Sequence, residues 1–222
     1  PIAAFIVVFA ESLVLFLFAY RHRWLWVGVA GMLMAATRNL GVMVVFPVLI
    51  LALQAYGWRE LMRFGDRTWR VLLTLWVIPF ALFSYMLYLH LHVGDGFAFK
   101  NIQLAWGRMF DNPFHYWLDG FETGGRKYYL SVVIALGWAM NGYLLYQRRY
   151  AEAVFMLICT MVPIVTSTNA FPRYLFGLYP TMLVMVLFVR NKPIMRPLIL
   201  ALSALLSAYF TIAWVNAKFF VV

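Results

Sequence analysis

Three charged residues stand where charge is out of place. Glu11 lies in the middle of the apolar run AAFIVVFAESLVLFLFAY, residues 3–20. Arg38 lies in the break TRNLG, residues 37–41, between two further apolar runs, and Arg173 follows Pro172 in TSTNAFPRY, residues 166–174. A charge held in hydrocarbon costs on the order of 3 kcal/mol or more, so such groups turn to a cavity and a partner instead of lipid. Counted along their helices at ~1.5 Å per residue, Glu11 and Arg38 reach similar depth on helices adjacent in sequence. They are expected to line one polar cavity; a purely structural ion pair is the alternative. Arg173 sits where Pro172 starts a helix. The unpaired N–H groups of a helix N-terminus, with a guanidinium beside them, favour an anion such as an interfacial phosphate. Anchoring to lipid headgroups is the alternative there.

Other chemistry-bearing residues are sparse. His90 and His92 are two apart and do not share a helix face, and His115 is alone, so no metal site is expected. Cys159 is the sole cysteine, which excludes a disulfide framework and a cysteine zinc site, and in its apolar run it reads as a small buried hydrophobe. Dinucleotide-binding, phosphate-loop and nucleophile-elbow motifs are absent.

The elements that must position these residues are membrane helices. The chain has 222 residues, 65% hydrophobic and 12% charged, about half the charged fraction of a soluble domain. Its apolar runs predict an all-α polytopic membrane protein with about eight transmembrane segments. These fall at approximately 2–20, 24–36, 41–56, 71–92, 128–146, 151–168, 174–189 and 197–216. Runs 24–36 and 41–56 are short and flank the 37–41 break, where Asn39 and Gly41 favour a turn. Irregular backbone at membrane depth is tolerated only against protein or a watery cavity, which makes the break a site signal.

Charge then sets the orientation. With 21–23 inside, eleven of the eighteen Lys and Arg fall on the inner side and every inner loop is basic, as the positive-inside rule requires. A net charge of +10 so distributed orients helices and does not point to nucleic acid. The start of the chain and the loop 93–127 then lie outside. The chain opens directly into an apolar run at Pro1, and is read as a single transmembrane domain, 1–222, truncated at its N-terminus. In the outer loop, Gly94-Asp95-Gly96 is a turn. Residues 97–110 predict a short amphipathic helix at the outer interface, and 113–117 an aromatic turn region. The loop is either an aromatic belt or a lid over an outward-facing site.

The order of these motifs carries a resemblance. Glu11-Ser12, the Thr37-Arg38-Asn39-Leu40-Gly41 break, Gly94-Asp95, Ala98-Phe99, Gln103, Trp106-Gly107-Arg108 and Arg173-Tyr174 follow one another over nearly the whole chain. In this order and spacing they resemble the PIG-V-like family, the second mannosyltransferases of GPI-anchor synthesis and their bacterial relatives, within the GT-C superfamily of membrane glycosyltransferases. Asn39 departs from that family, which usually has proline after the Thr-Arg pair, and this alters the local turn geometry.

The resemblance implies the C-terminal portion of a GT-C fold in a bacterial inner membrane, or in the ER membrane of a eukaryote. It implies transfer of a sugar, usually mannose, with inversion, from a polyprenyl- or dolichyl-phosphate donor to a hydroxyl of a glycan or glycolipid on the extracytoplasmic face. Inversion calls for a carboxylate that takes the acceptor proton, and the phosphate leaving group calls for cations. The family's principal acid belongs to the first outer loop, upstream of Pro1, which leaves Glu11 as a second acidic group. Arg38 and Arg173 would hold donor phosphate, next to Tyr174. Gln103 and Trp106 would contact sugar or acceptor, and Asp95 serves either the turn or as a helper carboxylate. The lipid-phosphate donor is a co-substrate, and no cofactor is specified. Readings of other kinds are a transporter or flippase of a lipid-linked saccharide, a membrane scaffold, and an O-antigen ligase or polymerase.

Overall fold

The computed structural model describes residues 2–105, 112–165, 168–169 and 171–215; the side chains of 2–6, 103–105, 210, 213 and 214 lie outside that description. The described residues form helices joined by short turns, bends and single extended or irregular residues, with no strand among them. The helices are α1 (Ile2–Tyr20), α2 (Trp24–Thr37), α3 (Val45–Leu61), α4 (Asp66–Val93), α5 (Ala98–Ala105), α6 (Pro113–Thr123), α7 (Gly125–Tyr146), α8 (Tyr150–Ile164), α9 (Phe171–Phe176), α10 (Tyr179–Val189) and α11 (Met195–Val215). A 3-10 helix, Asn39–Val44, joins α2 to α3.

Among the described residues three stretches are long and apolar enough to cross a membrane: Asn39–Leu61, Asp66–Val93 and Gly125–Tyr146. Five shorter apolar helices accompany them, at Val7–Tyr20, Trp24–Thr37, Tyr150–Ile164, Tyr179–Val189 and Met195–Tyr209. α4 shows what such a helix exposes. Trp69, Leu73, Trp76, Phe80, Phe83, Leu87 and Leu91 recur at intervals of three and four and all face outward. A contiguous exposed apolar stripe of this size marks a surface made for something other than water.

α2 presents its opposite kind of face, one of small residues. Its buried positions are Trp24, Val27, Gly28, Ala30, Gly31, Met34 and Ala35, and its most extensive packing is against α4. Small residues let two backbones approach closely, which drives helix association where lipid removes the hydrophobic incentive. A Cβ added at Gly31 would lie 2.6 Å from Ile78 Cγ1 on α4, and one at Gly28 would lie 3.5 Å from the Thr74 backbone. The Thr74 hydroxyl shares its proton between the Trp24 carbonyl at 2.8 Å and its own helix's Arg70 carbonyl at 2.9 Å. The Trp24 indole N–H donates to the Tyr56 hydroxyl at 2.6 Å, which ties α3 to the same corner.

The turns 21–23, 62–65, 147–149 and 190–194 gather at one end of the bundle, here the basic end. From that end α2, α8 and α10 extend 14, 15 and 11 residues, or about 21, 22 and 16 Å. Each stops well short of the reach of α4, whose 28 residues span about 42 Å.

Two expectations are corrected. The run 174–189 is not one helix: the chain bends at Gly177–Leu178, between α9 and α10. Pro180 has no N–H to offer the Phe176 carbonyl, so the helix cannot run through; Thr181 compensates by donating its hydroxyl to the Leu175 carbonyl. Residues 113–117 are the start of helix α6, not an aromatic turn. Asn112 caps that helix, accepting from the Phe114 N–H at 2.9 Å, and Pro113 occupies the first turn. Of the helix expected over 97–110, Ala98–Ala105 is helical (α5), and 106–110 lie outside the described residues.

Gly31→Leu is predicted to lower the thermal midpoint of unfolding in detergent by wedging α2 from α4, at about 1–3 kcal/mol. Gly142→Leu, where an added Cβ meets nothing within 4 Å, is the matched control and should change the midpoint far less.

Candidate functional site

The site grows from two interruptions. At the first, α2 ends at Thr37 and Arg38 takes an extended conformation, φ −147° and ψ 135°. The chain then turns into the 3-10 helix, with the Gly41 N–H donating to the Arg38 carbonyl at 2.7 Å. Only glycine fits at 41: an added Cβ would lie 2.0 Å from the Met34 carbonyl oxygen. At the second, α9 gives way to α10 around Leu178. Between them opens a small recess, partly open to the exterior, lined by Val8, Met34, Arg38, Leu40, Gly41, Cys159, Tyr174 and Leu178. The Arg38 guanidinium lies over the Tyr174 ring, 5.4 Å from its centroid. A cation held on an aromatic face with apolar walls around it is suited to an anionic group attached to an apolar body.

Glu11 does not join that lining. Its carboxylate lies 2.9 Å from the Thr37 hydroxyl, which is also 3.1 Å from the Met34 carbonyl. One hydroxyl proton serves both acceptors, so Glu11 and the end of α2 compete for it. No ion pair between Glu11 and Arg38 occurs among the described residues; Thr37 stands between them. Ser12, the other member of the Glu-Ser pair, is buried and donates to the Phe9 carbonyl at 2.9 Å.

The remaining residues disperse. Tyr174 is half-buried at the recess, while Arg173, one residue earlier on α9, is exposed. Asp95 caps α5: one oxygen accepts from the Phe97 N–H at 2.8 Å and the other from the Asn101 amide at 2.7 Å. The side chain of Gln103, and Trp106 altogether, lie outside the described residues.

A second polar cluster escaped the sequence reading. Glu152, in the first turn of α8, is 1% exposed. It accepts a short hydrogen bond from the Tyr20 hydroxyl at the end of α1. Arg149 Nη1 donates to that hydroxyl at 3.2 Å and lies 3.7 Å from the Glu152 carboxylate. The sequence signal is a lone acidic residue three positions after Arg149, in the first turn of an apolar run.

Among the described residues no group of three or more His, Cys, Asp or Glu could hold a metal ion. Fold and site together define an all-α chain of apolar helices, of the kind that integral membrane proteins build, with a recess at two helix breaks. No family profile, no curated protein and no solved structure matches it.

Two measurements probe these clusters. Glu152→Ala should destabilise the protein by about 1–2 kcal/mol, because it removes the charged acceptor of the Tyr20 hydroxyl while Tyr20 and Arg149 keep access to water; chemical denaturation in detergent reads it. Farther along the chain, the Lys127 ammonium, 2.8 Å from Asp119, and the Thr123 hydroxyl hold the Asp119 carboxyl below its ordinary pKa. A depressed carboxyl contributes its stability in full above the unfolded pKa and loses it as pH falls through the folded value. Acidification from neutral pH to below the usual carboxylate range should therefore raise hydrogen exchange around Gly124, where α6 meets α7, and Asp119→Asn should remove that pH dependence.

Proposed function

We propose that the chain is part of a membrane glycosyltransferase that uses a polyprenyl-phosphate sugar, mannose in the first instance, and delivers it with inversion to a hydroxyl on the extracytoplasmic face. The observation that carries the reading is convergence. The Thr37–Gly41 motif and the Arg173-Tyr174 motif, more than 130 residues apart in the chain, meet at one recess, where the Arg38 guanidinium rests on the Tyr174 ring. Both belong to the pattern on which the family resemblance stands.

In this reading the basic end faces the cytoplasm, and about eight helices, including the five shorter ones, cross or enter the bilayer. Arg38 holds the donor phosphate and stabilises it as it leaves with the bonding electrons, the role a fixed cation plays best in a site from which water is excluded. Val8, Met34, Leu40 and Leu178 supply the apolar walls. Glu11, through Thr37, positions the Arg38 break, and the base that deprotonates the acceptor is not assigned to any of these residues. Arg173 takes a headgroup-level contact with donor phosphate or lipid. Asp95 is a turn residue, and Gln103 and Trp106 contact sugar or acceptor.

A flippase or transporter of a lipid-linked saccharide draws on one observation, the buried Glu152 cluster at the basic end, since a translocation path needs polar groups there as well. That cluster is closed on itself by Tyr20 and Arg149, which favours a clamp over a path.

The test is radiolabelled mannose transfer from polyprenyl-phosphate mannose by the full-length protein in proteoliposomes. Arg38→Ala should lower transfer by about 100-fold or more, the usual loss on removing a fixed donor to a developing oxyanion. Arg38→Lys should recover part of it, and Arg173→Ala should have a smaller effect. Absence of transfer from every polyprenyl-phosphate sugar tried overturns the reading; movement of the donor across the bilayer without transfer establishes the flippase instead.

A further inference from the structure

α6 and α7 form a tight antiparallel hairpin whose register is fixed by side chains. The Trp117 indole N–H donates to the Ser131 carbonyl at 3.0 Å, and the Ser131 hydroxyl donates to the Trp117 carbonyl at 2.7 Å. Gly120 faces Ser131 and Lys127 so closely that an added Cβ would lie 2.0 Å from the Ser131 hydroxyl. Farther from the turn, the Phe114 ring lies 5.5 Å and the Trp117 ring 4.9 Å from the Trp138 ring, centroid to centroid. The N-terminus of α6 therefore points back along α7 toward the middle of that helix, while its C-terminus meets the α6–α7 turn.

α7 supplies a ruler. Its lower end is marked by Arg148 and Arg149. A hydrocarbon core of about 30 Å takes about 20 residues of helix, which puts the opposite boundary beside the Lys127–Asp119 ion pair. In the observed register Phe114 then lies about 10 Å below that boundary, whereas Phe121, whose ring meets Tyr128 at 5.6 Å, lies at it.

The capping of α6 suits that depth. Helix N-termini leave four N–H donors unpaired, and in hydrocarbon each unpaired donor is costly. Here Pro113 has no N–H, the Phe114 N–H donates to the Asn112 side chain, and the His115 and Tyr116 N–H groups both donate to the Asn112 carbonyl, at 2.9 and 3.2 Å. No donor of the first turn is left for water to satisfy. An exposed apolar stripe runs along α6, Phe114, Leu118 and Phe121, spaced by four and three, and continues into Tyr128, Val132 and Leu136 of α7; His115 and Glu122 are exposed beside it.

We infer that α6 is a re-entrant helix, inserted into the outer leaflet from the extracytoplasmic side, with Phe114 and Leu118 against lipid acyl chains. The occupant of its outer face is lipid because that face is continuous with the exposed apolar flank of the α7 span, and because the self-capped N-terminus removes the need for water. The inference stands on the hairpin's register and holds whether or not the chain transfers a sugar.

Site-directed spin labelling of the full-length protein in liposomes tests it. With Cys159→Ala as background, nitroxides are placed singly at Phe114→Cys, Leu118→Cys and Phe121→Cys, and collisions with oxygen and with a water-soluble nickel chelate give their depths. The expected result is high oxygen accessibility at 114 and 118, and a depth at 114 about 10 Å greater than at 121, the rise of seven helical residues. Equal depths at 114 and 121 would mean an interfacial helix. Nickel accessibility at all three would mean a hairpin in water, and low access to both reagents would mean a protein partner on that face. Any of these three overturns the inference. If Phe114→Cys does not fold, the pair 118 and 121 still reports the same gradient, about 4–5 Å.

Discussion

A helix that ends inside a bundle must satisfy its own last carbonyls or first N–H groups, and much of this structure follows from three helices that do so. α2, α8 and α10 cover about 16–22 Å from the basic end, too little for a hydrocarbon core of about 30 Å. Each interruption is resolved locally. The Arg38 N–H returns to the Met34 carbonyl and the Gly41 N–H to the Arg38 carbonyl. At the other break, the Gly177 N–H returns to the Arg173 carbonyl and Thr181 closes over Leu175. Backbone that is satisfied but not helical takes up less regular space, and the recess is the gap left between two such segments. Arg38 stands at that gap, with the Tyr174 ring under its guanidinium.

At the opposite end the bundle is fastened by the Glu152–Tyr20–Arg149 cluster. A buried ion pair is weak evidence for net stability, since desolvation consumes most of the attraction. What it does fix is register. Only one alignment of α1 against α8 brings the Tyr20 hydroxyl onto the Glu152 carboxylate, and the same alignment sets Phe16 against Phe155 at 5.7 Å and against Tyr179 at 5.2 Å. Val8 and Cys159, which line the recess, lie farther along these same two helices. A clamp at the basic end thus determines which residues face each other at the other end.

The helices were legible in the sequence because their composition leaves few alternatives, and the 37–41 break was legible because two short apolar runs meet at a glycine. What failed to show is equally specific. The run 174–189 reads as continuous because every residue in it is apolar or small except Tyr174, Tyr179 and Thr181, so the effect of Pro180 on the Phe176 carbonyl is hidden by hydropathy. The aromatic cluster Phe114–Trp117 was read by composition; the Asn112-Pro113 cap, which names a helix start, was the better signal. Depth arithmetic brought Glu11 and Arg38 to one level, but depth has no azimuth. Thr37 is a neighbour of Arg38 in the chain, and it, not the guanidinium, meets the carboxylate.

Azimuth also separates the two arginines. Successive residues on an α-helix point about 100° apart, so Arg173 and Tyr174 cannot both face the recess from α9. The structure gives that place to Tyr174, which lines the recess, and turns Arg173 outward. The Tyr174 ring lies under the Arg38 guanidinium, 5.4 Å from ring centroid to guanidinium carbon, and cation–π contact of this kind restrains where the cation sits. Arg173 has no such support and keeps the freedom of an exposed side chain. Two adjacent residues of one motif therefore part company: Tyr174 lines the recess under Arg38, and Arg173 is exposed and outside that lining.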